Sequence, residues 1–114
     1  MQPNTFPDDE SIVPMEMPQL LEQDAARAAE FLRSLANEYR LLILCHLAAG
    51  ELSVGELHTH FTLSQSSFSQ HLAVLRNQGL LKNRKVAQTV YYSIADPDVE
   101  QFMMLLKNKF CPAL

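Results

Sequence analysis

The stretch SVGELHTHFTLSQSSFSQHLAVLRNQGL, Ser53 to Leu80, decides the fold of this chain. Ser53 is a favourable N-cap for a short helix, Val54 to about Phe61, and Ser64 for a longer one, Gln65 to about Gln78. Gly79 is a typical residue at which the second helix ends. Two helices joined by a tight turn predict a helix-turn-helix.

The second helix has two contrasting faces. Phe68, Leu72 and Leu75 form an apolar stripe at helical spacing. The opposite face carries short polar side chains, which suit close approach to base edges in the major groove. Local hydrogen bonding or capping is the alternative role for Ser69 and His71. The predicted DNA-binding residues of this helix are Ser64, Gln65, Ser66, Ser67, Ser69, Gln70, His71 and Arg76.

Two runs that suit β-strands follow the second helix, Leu80 to Val86 and Gln88 to Ile94. The segment between them, Arg84 to Gln88, is predicted to be a basic turn without glycine. A β-hairpin placed directly after a helix-turn-helix is a wing, so the predicted fold class is mainly α with a small β-hairpin, a winged helix-turn-helix. The predicted DNA-binding residues of the wing, for which a solvated turn is the alternative, are Arg84, Lys85, Gln88 and Thr89.

The charge distribution is compatible with nucleic-acid binding. The chain has 13 acidic residues and a net charge of −4, yet no Asp or Glu occurs from Leu57 to Ala95. Arg76, Lys82, Arg84 and Lys85 all lie inside that stretch. Affinity for DNA depends on local cationic contacts to phosphates, so an acidic balance overall does not preclude it.

The remainder of the chain predicts a tail and further helices. Residues 1–18 contain four of the six prolines and are expected to form a flexible tail. Helical patterns begin at Gln19, at Glu38 (to about Ala49) and at Pro97 (to Phe110). The helix from Glu38 is apolar nearly all round, so it should be central and buried. The sequence has neither an 18-residue apolar run nor a signal peptide, which predicts a cytoplasmic protein.

Three segments resemble bacterial repressors of the ArsR/SmtB type: ELSVGEL from Glu51, LSQSSFSQHLAVLRNQGL from Leu63 and KNRKVAQTVYYSI from Lys82. The resemblance covers about residues 20 to 112. It implies that residues 19–114 form a DNA-binding and dimerisation domain, that the first and last helices make a homodimer interface, and that the recognition helices enter successive major grooves of a pseudo-palindromic operator.

Many repressors of this type sense metals, but the residues do not favour a metal site here. The segment that would carry a Cys-x-Cys pair reads Ser53-Val54-Gly55-Glu56, without a thiol. No histidine follows His71, although an interfacial zinc site needs histidine on the last helix. His58 and His60 are two residues apart, and on a helix they face different directions. We therefore predict neither a metal nor another cofactor, with a metal-sensing repressor kept as an alternative.

The two cysteines, Cys45 and Cys111, are too few and too far apart for a secreted disulfide framework. By themselves they are either small buried hydrophobes or a redox device. Their contexts, Leu44-Cys45-His46-Leu47 and Phe110-Cys111-Pro112, are similar to those of the HlyU/BigR/SqrR branch of the family. That resemblance implies a sensor in which persulfides or related oxidants bridge the two thiols and weaken DNA binding. Cys111, near two lysines, is the expected attacking thiol.

The resulting prediction is a DNA-binding transcriptional regulator, a repressor, controlled by reversible sulfur or redox chemistry at Cys45 and Cys111. Its expected partners are double-stranded operator DNA and a second copy of the chain, without a membrane. A small thiol oxidoreductase is the alternative from another class, but the chain lacks a Cys-x-x-Cys motif, so we expect no enzymatic activity. A protein-interaction module that has lost DNA binding is the third possibility, and the complete wing argues against it.

Overall fold

The computed structural model describes residues 16–111. The elements in chain order are α1 (Glu16–Leu35), α2 (Glu38–Leu47), β1 (Leu52–Ser53), α3 (Val54–His58), α4 (Gln65–Asn77), β2 (Leu81–Val86), β3 (Thr89–Ile94) and α5 (Pro97–Phe110). Most of α1, up to Arg33, is a unit by itself, and the residues from Ser34 onward form the other unit. The predicted tail lies outside the described residues as far as residue 15, and α1 begins at Glu16, earlier than the predicted Gln19.

Side-chain caps fix the starts of the helices of the second unit. Asn37 accepts from the Arg40 backbone N–H at the start of α2, and Ser64 accepts from that of Ser67 at the start of α4, each over 3.1 Å. Ser53 and Glu56 form a reciprocal capping box on α3. Asp96 caps α5, whose predicted bounds are confirmed. These caps satisfy backbone donors that lack a partner in the first turn, which is why the predicted helix starts are correct.

The helix ends are less regular than predicted. α2 ends at Leu47 and α3 at His58, each before the predicted Ala49 and Phe61. The residues that follow form turns closed by single backbone bonds, such as Phe61 N–H to the His58 carbonyl at 3.0 Å. Gly79 has a φ of 77°, a left-handed conformation that stops α4 where the sequence predicts.

The wing belongs to a three-stranded antiparallel sheet in the order β1-β3-β2. The hairpin of β2 and β3 was predicted, whereas β1, only two residues long, was not. β1 adds Leu52 opposite Tyr92 and Ser53 opposite Tyr91. The turn consists of Ala87 and Gln88, with Ala87 at a φ of 55°. The predicted turn from Arg84 was therefore too long, because Arg84 and Lys85 pair within β2.

The core of the second unit lies between the helices and the inner face of the sheet. Fully buried side chains come from α2 (Ile43, Leu44), α3 (Leu57), α4 (Phe68, Leu75), the strand entry (Leu80) and α5 (Val99). The prediction that α2 is buried all round is wrong for one side, since Leu42 and Cys45 are exposed. Within residues 16–111 no helix is both long enough and apolar enough to cross a membrane.

Candidate DNA-binding surface and cysteine pair

The polar face of α4 is accessible along its length. Phe68, Leu72 and Leu75 point into the core as predicted. The polar residues Ser64, Gln65, Ser66, Ser69, Gln70 and Arg76 are exposed, while Ser67 and His71 are half-buried. The Ser64 hydroxyl also lies 3.3 Å from that of Ser66, so both hydroxyls are held at the first turn. Exposed amide and hydroxyl groups on a rigid helix are a suitable surface for reading base edges.

His71 differs from the rest of this face because it is bonded to the protein. Its Nδ1 lies 3.2 Å from Nη1 of Arg40 on α2, and the Arg40 Nε donates to the Ser34 carbonyl over 2.7 Å. Burial and the neighbouring Arg40 charge lower the pKa of His71. A neutral His71 therefore joins α2 to α4 and adds no charge to the surface. The role of Arg40 could not be predicted from the sequence, because its contact with His71 spans 31 residues and has no local signal.

Two further histidines support the turn between α3 and α4. His58 Nε2 donates to the Leu63 carbonyl over 2.8 Å, and its ring stacks on Phe68 with centroids 4.7 Å apart. His60 stacks instead on His46 of α2, at 4.0 Å and 18° between the planes. As predicted, His58 and His60 face different partners. Within the described part of the chain, no three His, Cys, Asp or Glu side chains come together to hold a metal ion.

The two adjacent cations of the wing lie on opposite faces of the hairpin. Lys85 is opposite Val90, and Arg84 is opposite Tyr91. Paired residues share a face and neighbours along a strand alternate. Val90 lines a depression of about 270 Å³ together with Ser69 and Arg76 of α4. Lys85 therefore shares the face of the sheet that meets α4, and Arg84 does not.

Arg84 is bound to an acidic residue outside the acid-free stretch. Its Nε and Nη2 donate to the two carboxylate oxygens of Glu51 over 2.7 and 2.8 Å. Its guanidinium carbon lies 4.9 Å from the ring centroid of Tyr91. The bond to Arg84, with Lys82 nearby, lowers the pKa of Glu51. Since β1 pairs with β3, residue 51 reaches the wing, and the acid-free sequence does not give an acid-free surface. Gln88 and Thr89, also predicted to contact DNA, are exposed at the tip.

The two thiols are free, exposed and close enough to influence each other. Partial burial of the sulfur, and then the neighbouring Cys111, raises the pKa of Cys45. Cys111 is the C-cap of α5, and its backbone N–H donates to the Lys107 carbonyl over 2.7 Å. The fold therefore brings together two cysteines from α2 and the end of α5, which lie far apart in the sequence.

A helix-turn-helix with an exposed polar helix and a basic wing defines the class of winged helix-turn-helix DNA-binding regulators. The family profile described as "Bacterial regulatory protein, arsR family" matches residues 37–83. The transcriptional activator HlyU of Vibrio cholerae is 48% identical over 95 residues, 83% of this chain and 88% of HlyU. The chain belongs to the arsR family and is a transcriptional regulator of the ArsR/SmtB type.

Solved structures agree with this assignment. Reduced HlyU from Vibrio cholerae has a TM-score of 0.75 over 82% of this chain and 98% of its own. The transcriptional repressor BigR from Xylella fastidiosa, 32% identical, also has a TM-score of 0.75, over 82% of this chain and 96% of its own. The homodimeric winged helix-turn-helix domain of Mb0332 from Mycobacterium bovis, 33% identical, has a TM-score of 0.65 over 81% and 82% of the two chains.

Proposed function

We propose that this regulator is a homodimeric, thiol-controlled repressor, which binds operator DNA when reduced and releases it when sulfur bridges Cys45 and Cys111. The observation that carries the proposal is a pair of exposed free thiols, one on α2 and one at the end of α5, with Cys111 near enough to Cys45 to help raise its pKa. The similarity of this chain to HlyU, whose reduced form has a solved structure, and to the repressor BigR also supports the proposal.

DNA contact is assigned to α4 and to the face of the wing that meets it. Gln65 and Gln70 offer both donors and acceptors, and bidentate glutamine contacts read adenine in the major groove. Lys85 and Arg76 supply positive charge beside them. The other exposed polar residues of α4 and the wing tip fit a role in placing the helix against the phosphate backbone.

The homodimer is supported by an unpaired apolar surface on α5. Met104, Leu105 and Phe110 are 55, 62 and 69% exposed, large values for such side chains. Several large apolar side chains exposed on one helix are typical of an interaction surface. A second copy of the chain is the proposed partner, as in the homodimeric Mb0332 domain. Two recognition helices related by two-fold symmetry would then meet half-sites about 34–36 Å apart.

The proposed chemistry is two successive sulfur substitutions. The Cys111 thiolate attacks the outer sulfur of a persulfide RS–SH, which forms Cys111–S–SH and releases RS⁻. The Cys45 thiolate then attacks the inner sulfur of that group, which forms the Cys45–Cys111 disulfide and releases HS⁻. The two thiols lose two electrons, and the sulfane sulfur gains them. If a second persulfide first converts Cys45 to Cys45–S–SH and releases RS⁻, the Cys111 persulfide attacks the Cys45 sulfur and releases HS⁻. This closure gives a trisulfide, which suits a longer gap between the thiols.

The bridge would act on DNA binding through α2. Cys45 lies on this helix five residues after Arg40, whose side chain holds His71 of α4. A bond from Cys45 to the end of α5 fixes α2 relative to the proposed dimer helix. Because a hydrogen bond joins α2 to α4, a movement of α2 caused by the bridge would also move α4. The spacing between the two recognition helices of the dimer would then no longer match the two half-sites.

The test is a fluorescence-anisotropy titration of a duplex that the reduced protein selects from a random library. The protein is measured with dithiothreitol and after treatment with a persulfide donor, and mass spectrometry of the same samples identifies the bridge. We expect operator release together with an intramolecular Cys45–Cys111 bridge. Cys45→Ser and Cys111→Ser should each bind as the reduced protein does and ignore the donor. Release by both single variants, or bridges only between chains, would overturn the thiol mechanism.

The direction of regulation and the lack of catalysis are part of the proposal. HlyU is described as an activator and BigR as a repressor, so the family allows both outcomes. A reporter gene placed behind the selected duplex should be silenced by the reduced protein and expressed after persulfide treatment. Peroxide and disulfide turnover assays should show no multiple turnover, because we assign the thiols to signalling and not to catalysis.

A further inference from the structure

The wing is held to the rest of the sheet by a contact that crosses all three strands. Arg84 on β2 is opposite Tyr91 on β3, and Tyr91 is opposite Ser53 on β1. The Glu51 carboxylate, two residues before Ser53, binds Arg84 through both oxygens. One row of residues therefore joins the outer strands β1 and β2, which do not pair with each other.

Arg84 meets this row with both parts of its guanidinium group. The fork of Nε and Nη2 matches the two carboxylate oxygens of Glu51, a geometry that lysine cannot reproduce. The plane of the group lies over Tyr91, at 4.9 Å from the centroid. To bind a phosphate through Nε and Nη2, Arg84 would have to break its two hydrogen bonds to Glu51. The net gain in binding free energy would be only the difference between two similar ion pairs.

We propose that Glu51 and Arg84 are positioning residues that fix the wing relative to the helix-turn-helix, and that Lys85 is the cation of the wing that contacts DNA phosphate. β1 pairs with β3 over only two residues, and a two-stranded hairpin twists readily beyond that point. Ser53 in the same row is the N-cap of α3, so the contact links the wing angle to the first helix of the motif. This inference rests on the proposed DNA-binding function.

Substitutions that separate charge from geometry test the assignment. Arg84→Lys keeps the positive charge but removes the two-point bond and the stacking. If Arg84 positions the wing, Arg84→Lys and Glu51→Gln each lower affinity for the selected duplex by about two- to fivefold, the range of an exposed ion pair. Their slopes of log K against log salt stay as in the unsubstituted protein. Lys85→Ala instead reduces the slope by about one.

Exchange of the two charged residues is a further control for the ion pair. Glu51→Arg combined with Arg84→Glu restores the pair with its charges reversed, and should recover affinity relative to either single change. If Arg84 contacts phosphate, the exchange binds more weakly than Glu51→Arg alone, Arg84→Lys binds as the unsubstituted protein, and Glu51→Gln binds more tightly. Any of these three results would overturn the proposal.

A measurement without DNA keeps the inference separate from the proposed function. Hydrogen exchange of the backbone amides of residues 82–90 should be faster in Glu51→Gln and Arg84→Lys, and unchanged in Lys85→Ala. Failure of the reduced protein to select any duplex would refute DNA binding, whereas the exchange rates would still show whether the contact orders the wing. Equal exchange rates in all four proteins would refute the contact itself.

Discussion

Arg40 of α2 donates a hydrogen bond from Nη1 to Nδ1 of His71 on α4, over 3.2 Å. A guanidinium group can only donate, so His71 accepts at Nδ1 and, when neutral, carries its proton on Nε2. The ring of Tyr39 lies 5.6 Å from that of His71 and covers it from the α2 side. A directed hydrogen bond thus joins α2, which carries Cys45, to α4, the proposed recognition helix.

Removal of this bond should destabilise the fold. His71→Ala removes the hydrogen bond between Arg40 and His71, so we expect the free energy of unfolding to fall by about 0.5–1.5 kcal/mol. Denaturant unfolding measures it. Gln70→Ala, at the neighbouring exposed position, is the matched control and should change the value by less than about 0.5 kcal/mol. Equal losses in both variants would show that the contact contributes nothing specific.

The same bond predicts a dependence of stability on pH. Burial, and then the charge of Arg40, lowers the pKa of His71 below the usual 6.5. The unfolded chain then binds the proton more readily than the folded one. The contribution of His71 is therefore fully present above pH 6.5 and is lost as the pH falls through its folded pKa.

Thermal unfolding between about pH 7.5 and pH 5.5 tests this dependence. The melting temperature of the protein should fall across that range. The melting temperature of His71→Gln, whose side chain cannot titrate, should fall less. His46 contributes in the same direction, since burial and then the nearby His60 lower its pKa. A fall of the same size in His71→Gln would assign the whole dependence to other groups.

The parts of the fold that local chemistry determines could be predicted from the sequence. Asn37, Ser53, Ser64 and Asp96 each cap a helix, because a capping side chain needs only the backbone of the next three residues. The apolar stripe of α4 faces the core for the same local reason, the period of the helix.

The contacts between distant segments could not be predicted. Glu51 and Arg84 are 33 residues apart, and the strand that joins them, β1, is too short to leave an alternating pattern. The acid-free stretch therefore seemed to leave the wing wholly positive. The apolar sequence of α2 also suggested complete burial, but a helix of ten residues packed on one side leaves Cys45 accessible.

Base reading by α4 is tested most directly at its two exposed glutamines. Gln65→Ala and Gln70→Ala should each weaken binding to the selected duplex by about 1–3 kcal/mol and weaken binding to random DNA much less, because a bidentate contact discriminates by that amount. Gln101→Ala, on the exposed side of α5, is the matched control. If both α4 variants bind the selected duplex as tightly as the control, the surface is assigned wrongly.

The proposed dimer surface on α5 predicts a change in oligomeric state for a charged variant. Leu105→Glu places a charge on an exposed apolar side of α5. It should raise the dissociation constant of the dimer by at least about tenfold, since a two-fold interface loses the burial energy of the leucine, roughly 1.5–3 kcal/mol, twice. Sedimentation equilibrium measures the constant. Asn108→Glu adds the same charge at an exposed polar position of α5. A dimer that tolerates Leu105→Glu as well as Asn108→Glu must use another surface.

The order of the two thiol steps follows from the surroundings of Cys45. Burial of its sulfur and the charge of Cys111 raise its pKa above the usual 9.0, so little of it is thiolate at neutral pH. Brief treatment with a persulfide donor near pH 7 should therefore leave one added sulfur on Cys111 in Cys45→Ser, and leave Cys111→Ser mostly unmodified. Raising the pH toward about 10 should narrow this difference, because a larger fraction of Cys45 is then thiolate. Intact-protein mass spectrometry after alkylation resolves both products. Faster modification of Cys111→Ser than of Cys45→Ser at neutral pH would reverse the order, with Cys45 as the attacking thiol.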